Sequence, residues 1–385
     1  MPKTSSTTPP HKGEVPMAPQ SSTPAARMGD RIRRARLMAG LSLRSLADAL
    51  DGEPSHTQIA KFEAGEICPD SKQLARFSRV LKVRPDYFFK KDELKLETVE
   101  YRSQAKLGLK NRKRLEEQAY EFFERYLEIE RILGMEIEPL GSEDLSEHAV
   151  EDLPEAIEKA ARQLRVDWEL GMNPIPNVHV MLETHGLKVK TLAHEDGFDG
   201  FSAFATSGDT RVPVIALSKR WIEGPEKDLP RFRFTAIHEL AHLYLKLPDA
   251  IGHKEKEGWC HWFAGAFLIP REPFAERFGV NRVKISLNEL IAIKREWGMS
   301  IAAIMKRACN LGLVTPGRYK TYCIVANKKR WNQNEPGDWF GEEQSSRFEP
   351  LVLRALAQEL ITPSKAAGLL GISLPELGSR YTPLD

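Results

Sequence analysis

The sequence of 385 residues predicts a multidomain, mainly α-helical protein with a small β-sheet. Such a length exceeds what one small core organises, so we expect several domains. Apolar residues recur at helical spacing over most of the chain, whereas only a few short runs have the composition of strands. We expect five regions: a disordered tail (1–27), an all-α domain (28–91), a connector of short strands and a long helix (92–147), an α+β domain (148–314) and a helical C-terminal region (315–385).

The composition is ordinary for a soluble globular protein, with 41% hydrophobic residues, 29% charged residues and a net charge of +2. No apolar run approaches the roughly 20 residues of a membrane helix, so we expect no membrane association. Residues 1–27 are rich in Pro, Ser and Thr and contain no continuous apolar stretch, which argues against a secretory signal. The four cysteines form no CxxC pair, so we expect no disulfide framework or zinc ribbon, and a cytoplasmic protein.

The all-α region has three short amphipathic helices in close succession. The first begins near Arg31 and ends at Gly40, Ser42 caps the second, and Ser55 caps the third, HTQIAKFE. In the third helix Ile59 and Phe62 are expected to face inward. This spacing predicts a helix-turn-helix domain.

The outward face of the third helix is the candidate DNA-binding surface, because such a helix can enter a major groove. Gln can bridge adenine edges, and Lys can contact phosphate or guanine. The cations expected near this face are Arg31, Arg33, Arg34, Arg44 and Lys61, while Glu53, Glu63 and Glu66 reduce its positive charge. The alternative is a helical bundle that binds protein. The candidate DNA contacts are Arg44, Ser55, His56, Thr57, Gln58 and Lys61.

The run from GDRIRRARLMAG through SHTQIAKFEAGE to QLARFSRVLKV resembles the XRE family of helix-turn-helix repressors. The resemblance implies a double-stranded DNA operator and a homodimer that reads paired half-sites. The chain departs from the family at the turn 51–54, DGEP, which is about two residues longer than usual. A longer turn shifts the third helix and therefore the individual base contacts.

In the α+β region, the segment TAIHELAH contains His238 and His242, four residues apart. On a helix these imidazoles lie one turn apart and can reach one zinc ion. Glu239 lies beside them, where it can take a proton from the attacking water as general base. Asp228 can cap this helix and Pro230 suits its first turn. The alternative is two surface histidines on an amphipathic helix.

A catalytic zinc ion needs a third protein ligand. The run EKEGWCHWFA opens the next predicted helix, with Glu257 in its first turn. From spacing alone, the third ligand could be any of four residues: Glu257, His261, Cys260 or the nearby His253. A third histidine six residues after His242 is absent, since position 248 is proline, so a carboxylate is the simpler choice.

The segments RFRFTAIHELAHLYL and EKEGWCHWFAGAFLIP resemble the ImmA/IrrE family of metallopeptidases, as do FDGFSAF (198–204), PVIALSKR (213–220) and residues 286–314. The resemblance implies an α+β zincin-like metallopeptidase domain with one zinc ion. Residue by residue, it implies zinc ligands at His238, His242 and Glu257 and a general base at Glu239. It also implies a protein substrate of the repressor or antitoxin class. Many relatives have Ala-Asn where this chain has Cys260-His261, so His261 stays a candidate partner or substitute ligand.

The rest of the chain provides further elements and two open questions. Residues 351–381 predict either a second recognition element or, as the favoured interpretation, a helical cap. Trp259, Trp262 and Trp331 are expected in core packing, with a ligand pocket as the alternative. The remaining elements are strands at 187–191, 201–205, 212–217 and 321–325, and helices at 111–133, 176–183, 229–247, 257–268 and 286–312.

Two functional hypotheses follow. The first is a DNA-binding transcriptional regulator with a zinc-dependent endopeptidase domain that cleaves a repressor-like or antitoxin-like protein to switch transcription. The second is a non-proteolytic regulator whose zinc domain senses a signal or partner, including a component of a toxin–antitoxin pair.

Overall fold

The structure is a computed structural model that describes residues 23–90, 94–97, 100–101, 107–136, 138–208, 210–280, 282 and 284–381. The chain forms two compact units, Met1–Lys91 and Asp92–Asp385. Most of the predicted tail lies outside the described residues. Within the described part of the chain, no helix has the length and apolar character needed to cross a membrane.

The first unit is a bundle of four helices followed by a short 3-10 turn, Pro85–Phe89. The helices are α1 (Pro24–Met38), α2 (Leu43–Ala49), α3 (His56–Glu63) and α4 (Ser71–Leu81). Each has a side-chain cap, and Ser42 and Ser55 cap α2 and α3 as predicted. Helix α1 includes the last four residues of the predicted tail, 24–27, because Thr23 caps it and Pro24 suits its first turn.

The second unit is built on a mixed sheet. Its strands are β1 (Lys95–Leu96), β2 (Glu100–Tyr101), β4 (Lys188–Leu192), β5 (Gly200–Ser207) and β6 (Thr210–Ser218). They lie in the order β1-β5-β6-β4, and β2 also pairs with β5. β5 is antiparallel to β6, and β4 is parallel to β6. A separate parallel pair joins β3 (Glu143–Asp144) to β7 (Leu245–Lys246). The predicted strands at 187–191, 201–205 and 212–217 are therefore present.

One face of the sheet packs against the helices that carry His238, His242 and Glu257. Ile215 and Leu217 of β6 are fully buried there, because alternate residues of a strand point to the same face. The helices that share this core are α6 (Leu153–Asp167), α7 (Val178–Thr184), α8 (Leu229–Tyr244), α9 (His253–Leu268), α10 (Arg271–Phe278), α11 (Leu287–Trp297) and α12 (Ile301–Asn310).

The opposite face of the sheet is covered by helices from both ends of this unit. Val212 and Val214 of β6 and Phe201 of β5 pack against α5 (Leu109–Ile132) and α14 (Phe348–Ala357). The short helices α15 (Pro363–Leu370) and α16 (Leu374–Arg380) join the same core. This packing is what the helical-cap interpretation of the C-terminal region predicts, and it makes α5 part of the core.

Two predictions of secondary structure are wrong. Residues 321–325 lie in a helix, α13 (Pro316–Lys328), which Thr315 caps and Pro316 begins. Its aromatic and β-branched residues resembled a strand, but that segment pairs with no strand in the described part of the chain. Helix α9 begins at His253 instead of Glu257, so Glu257 lies in its second turn.

Candidate metal centre and nucleic-acid interface

Helix α8 holds His238 and His242 in place through its own sequence. The side chain of Asp228 accepts a hydrogen bond from the backbone N–H of Arg231 at 3.1 Å and so caps the helix. Along most of its length α8 is buried, and both His238 and Glu239 are 0% exposed. A helix packed on nearly every side has little freedom to rotate, so its two imidazoles keep one orientation.

Donor atoms of three side chains lie close together between α8 and α9. The Nε2 atoms of His238 and His242 are 3.1 Å apart. Each lies 3.2 Å from a different carboxylate oxygen of Glu257. In tetrahedral zinc sites, bonds of about 2.0–2.1 Å put neighbouring ligand atoms about 3.3–3.4 Å apart. These separations are close to that spacing, so the three side chains can share one zinc ion.

The carboxylate of Glu257 stays ionised in this position. Burial works to raise its pKa, but hydrogen bonds and charge interactions with His238 and His242 outweigh burial and hold the pKa well below its usual range. An ionised carboxylate is the form that binds a metal ion. Among the described residues, these three are the one group of His, Cys, Asp and Glu side chains close enough to share an ion.

The other candidate ligands face elsewhere. The sulfur of Cys260 lies 3.6 Å from Nδ1 of His242, the ring nitrogen that points away from the shared point. Burial raises the pKa of the Cys260 thiol, which favours the neutral form. The ring of His261 packs against that of His238 at 4.4 Å between centroids. His253 is the exposed first residue of α9.

Glu239 projects toward β5, where the hydroxyl of Ser202 donates a hydrogen bond to its Oε2 at 2.9 Å. Ser202 is 2% exposed, so this bond is shielded from solvent. At Gly200, on the same strand, a Cβ would lie 3.0 Å from Cδ2 of Leu217 and 3.1 Å from the carbonyl oxygen of Ala216, so a side chain there would crowd the neighbouring strand. Ser202 could not be identified from the sequence, because no local pattern links a strand residue to a helix residue that far along the chain.

A cavity of about 750 Å³ lies one helical turn from the metal donors. Phe234 precedes His238 by one turn and His261 follows Glu257 by one turn, and both line the cavity. Six aromatic rings form much of its wall: Phe234, Trp259, His261, Trp262, Tyr319 and Trp331. The three tryptophans therefore line a pocket, where core packing had been the expectation.

In the first unit, α3 presents His56, Thr57 and Lys61 to solvent, with Gln58 partly exposed. Ile59 and Phe62 are buried on its other side, as predicted. Arg44 at the start of α2 is exposed. Ser55 is exposed too, but its hydroxyl accepts the backbone N–H of Gln58 at 3.3 Å as the helix cap.

The charges around this face differ from the sequence-based expectation. Arg31 is 0% exposed and packs over the ring of Tyr87, so it is not a surface cation. Arg34 pairs with Asp30 at 2.7 Å. Glu63 accepts two hydrogen bonds from Arg36, at 2.6 and 2.7 Å, so its charge is largely neutralised.

Comparison with known families agrees with this geometry. Residues 203–308 match the family described as IrrE N-terminal-like domain, and residues 32–88 match the family described as Helix-turn-helix. The chain is a helix-turn-helix domain fused to an IrrE-like domain. Searches of curated proteins and of solved structures gave no significant match. The IrrE-like match runs from β5 to α12 and includes all three metal donors and Glu239. The two matches support a regulator that carries a protease-like domain.

Proposed function

We propose that this protein is a DNA-binding transcriptional regulator whose IrrE-like domain is a zinc-dependent endopeptidase that cleaves a repressor-like or antitoxin-like protein. The observation that carries this proposal is the cluster of His238, His242 and Glu257, in which the two Nε2 atoms are 3.1 Å apart and each lies 3.2 Å from its own carboxylate oxygen. The buried Glu239 beside that cluster supplies the group that hydrolysis needs in addition to the metal.

In this proposal His238, His242 and Glu257 hold one zinc ion. Zinc in such a site supplies Lewis acidity, which lowers the pKa of water and polarises a peptide carbonyl. The sulfur of Cys260, 3.6 Å from Nδ1 of His242, is placed to orient that imidazole from behind.

Glu239 is the general base. Its carboxylate takes a proton from the attacking water and then donates it to the nitrogen of the leaving amine. The hydroxyl of Ser202, 2.9 Å from Oε2, orients the carboxylate for both transfers. Ser202 touches neither metal donor nor substrate in this scheme, so it is a positioning residue.

The test of the endopeptidase proposal is Glu239→Gln, with Glu276→Gln as the matched control. Glu276 is an exposed glutamate on α10 and belongs neither to the cluster of His238, His242 and Glu257 nor to the cavity. We expect Glu239→Gln to keep one zinc ion per chain but to lower cleavage about 100-fold or more, because the base is lost. Metal analysis measures the zinc content of each variant, and a gel-based assay measures cleavage. Unchanged proteolysis by Glu239→Gln would refute the mechanism.

For the first unit, we propose that α3 reads a double-stranded DNA operator through His56, Thr57, Gln58 and Lys61, with Arg44 and Ser55 beside it. A homodimer would read two half-sites. Replacing the exposed Lys61 by Gln should weaken binding to all sequences and reduce the salt slope by about one, since one phosphate contact is lost. Lys82→Gln, at the far end of α4, is the control. Binding measured over a salt series that shows equal slopes would argue against this surface.

The aromatic cavity favours a second candidate function, a non-proteolytic regulator that senses a signal or partner, including a toxin–antitoxin component. Its volume of about 750 Å³ lies in the range of small-molecule sites, roughly 300–1,000 Å³. One of its walls, His261, packs directly on His238. Incubation with the proteins encoded beside its gene, with and without chelator, separates the two functions. Zinc-dependent fragments support proteolysis, and a stable complex of intact proteins supports sensing.

A further inference from the structure

The cavity beside the metal centre is lined by aromatic rings that the proposed hydrolysis does not use. Helix α9 provides Trp259, His261 and Trp262, and the rings of Trp259 and Trp262 have centroids 5.7 Å apart. Tyr319 of α13 and Trp331, which follows that helix, line the same cavity. Aromatic rings favour other aromatic rings in stacked or edge-on contact, so this wall suits a planar ligand.

The charged side chains of the cavity wall balance one another. There are three carboxylates and three cations: Asp228, Glu255, Glu335, Arg231, Lys306 and Arg307. Three of these pair with residues outside the wall: Arg231 with Asp199, Arg307 with Glu158, and Glu335 with Lys294. Glu255 and Lys306 carry opposite charges and are exposed, so water screens both. Because a charge that enters such a cavity loses hydration without gaining a dedicated partner, the wall favours an uncharged ligand.

The two tryptophans of α9 differ in their hydrogen bonds. Nε1 of Trp262 donates to the carboxylate of Glu158 at 2.8 Å. Nε1 of Trp259 is buried and has no acceptor among the residues that the structure describes. An indole N–H can only donate, and a buried donor without an acceptor is unfavourable. A ligand with an acceptor atom within reach of Trp259 therefore gains a hydrogen bond that an apolar ligand does not.

One ring connects the cavity to the metal centre. His261 lines the cavity and packs on His238, with 4.4 Å between the ring centroids. Phe234, one turn before His238 on α8, stacks on His261 with centroids 5.8 Å apart and ring planes at 18°. A ligand that contacts His261 touches the ring that packs on a proposed zinc ligand, and coupling between two such sites is reciprocal.

We infer that this cavity binds a small, planar, uncharged heteroaromatic molecule, which stacks on the aromatic wall and accepts a hydrogen bond from Nε1 of Trp259. The inference deepens the second candidate function, because it names the chemical class of the signal. It rests on that function only for its consequence, since binding itself can be measured without a partner protein or a substrate.

The test uses the full chain and three planar probes in isothermal titration calorimetry. Quinoline is uncharged at neutral pH and has an acceptor nitrogen but no N–H, indole has an N–H but no acceptor, and naphthoate carries a carboxylate. We expect quinoline to bind about tenfold or more tightly than naphthoate, because the carboxylate loses its hydration in the cavity. Tighter binding of naphthoate would contradict the uncharged class of ligand.

The site of binding is tested by filling the cavity. Gly258 lines it, and a Cβ at this exposed position on α9 would meet no atom within 4 Å. Gly258→Phe should lower the affinity for quinoline about tenfold or more, since the new ring takes up aromatic contacts that the probe would make. The matched control is Gly378→Phe, at an exposed glycine of α16 that also has no atom within 4 Å of its Cβ and lies outside the wall.

A second variant, Trp259→Phe, keeps a ring in the wall and covers the case in which Gly258→Phe disturbs the neighbouring Glu257. Loss of the indole N–H should weaken quinoline binding about 2- to 10-fold and change indole binding by less than about twofold, because only quinoline accepts that hydrogen bond. Absence of saturable quinoline binding by the parent, or binding that both variants leave unchanged, would overturn the inference.

The outcomes also separate this inference from the function on which it rests. If quinoline binds but changes neither zinc affinity nor complex formation with the proteins encoded beside the gene, the binding site stands and the sensing function fails. If the chain forms a stable complex with intact partner proteins but does not bind quinoline, the sensing function stands and the inferred class of ligand is wrong.

Discussion

At the scale of single residues, the bond from Ser202 to Glu239 deserves a direct test because it joins the sheet to the metal-binding helix. Both side chains are buried, so the hydroxyl replaces the water that would otherwise solvate the carboxylate. A hydrogen bond to a charged group is worth about 1.5–3 kcal/mol. The donated hydrogen also holds Oε2 in one direction, so the carboxylate keeps one orientation.

Ser202→Ala should therefore lower kcat by roughly 10- to 100-fold, with zinc content unchanged, because that energy converts to this range of rates. Ser218→Ala is the matched control, since Ser218 is a buried serine on the neighbouring strand β6. Steady-state cleavage kinetics and metal analysis measure the two effects. Loss of zinc in Ser202→Ala would mean that the serine supports the fold of the site and not the base.

At the scale of elements, helix α8 is tied to the segment between α13 and α14 by a buried ion pair. Arg233 and Glu343 are 1% and 0% exposed in this pair. Glu343 also accepts the backbone N–H groups of Val178 at 2.9 Å and His179 at 3.1 Å, at the start of α7. Arg233 donates to the carbonyl of Ile175 at 2.8 Å. The pair thus locks the helix that carries His238 against α7.

Burial acts on both partners of this ion pair. It raises the pKa of Glu343, and it lowers the pKa of Arg233, while their mutual attraction opposes both changes. Removing one charge leaves the other buried without compensation, which is the costly case.

Glu343→Gln should accordingly lower the free energy of unfolding by about 3–5 kcal/mol. The control is Glu272→Gln, which breaks an Arg–Glu pair with Arg162 whose side chains are 61% and 60% exposed. Breaking that pair should change the unfolding free energy by about 0–1 kcal/mol. Urea denaturation of both variants gives the comparison, and similar losses in the two would contradict the role assigned to Glu343.

At the scale of the whole molecule, the two units have separate hydrophobic cores. The core of the first contains Ile32, Leu46 and Phe77, whereas the second is built around the two faces of the sheet. In the described part of the chain, the proposed zinc site belongs to the second unit alone. A ligand that binds one folded unit stabilises only that unit.

Zinc removal should therefore lower the melting temperature of one calorimetric transition and leave the other unchanged. At a zinc concentration about 1,000 times the Kd, the metal contributes about 4 kcal/mol to the unit that binds it. Differential scanning calorimetry with and without chelator measures this, and Glu257→Ala should abolish the chelator effect. A shift of both transitions would mean that the two units unfold together.

The elements that could be predicted from sequence are those with local signals. Ser42, Ser55 and Asp228 cap their helices as expected, since a cap needs only a side chain near its own helix. The sequence of residues 321–325 predicts a strand although the segment is helical, because a short run of β-branched and aromatic residues suits either state. A strand also needs a neighbouring strand to pair with, and whether one lies beside it depends on the tertiary structure.

The charges of the first unit illustrate the same limit. Arg31 and Arg34 counted as surface cations in the sequence, but one is buried against Tyr87 and the other pairs with Asp30. Both contacts depend on how a helix is rotated against its neighbours. Sequence periodicity predicts which face is apolar, but not which long polar side chains fold back over it.

Thus the amino-acid sequence by itself determined the helices, their caps and the pairing of His238 with His242, because all of these depend on residues within one or two turns. Only the tertiary structure decided that Glu257 faces both histidines while Cys260 and His261 do not, and that Ser202 meets Glu239. It also decided that β1 and β2 pair with β5. These contacts join distant parts of the chain, and packing of helices on the sheet, not local preference, sets their distances.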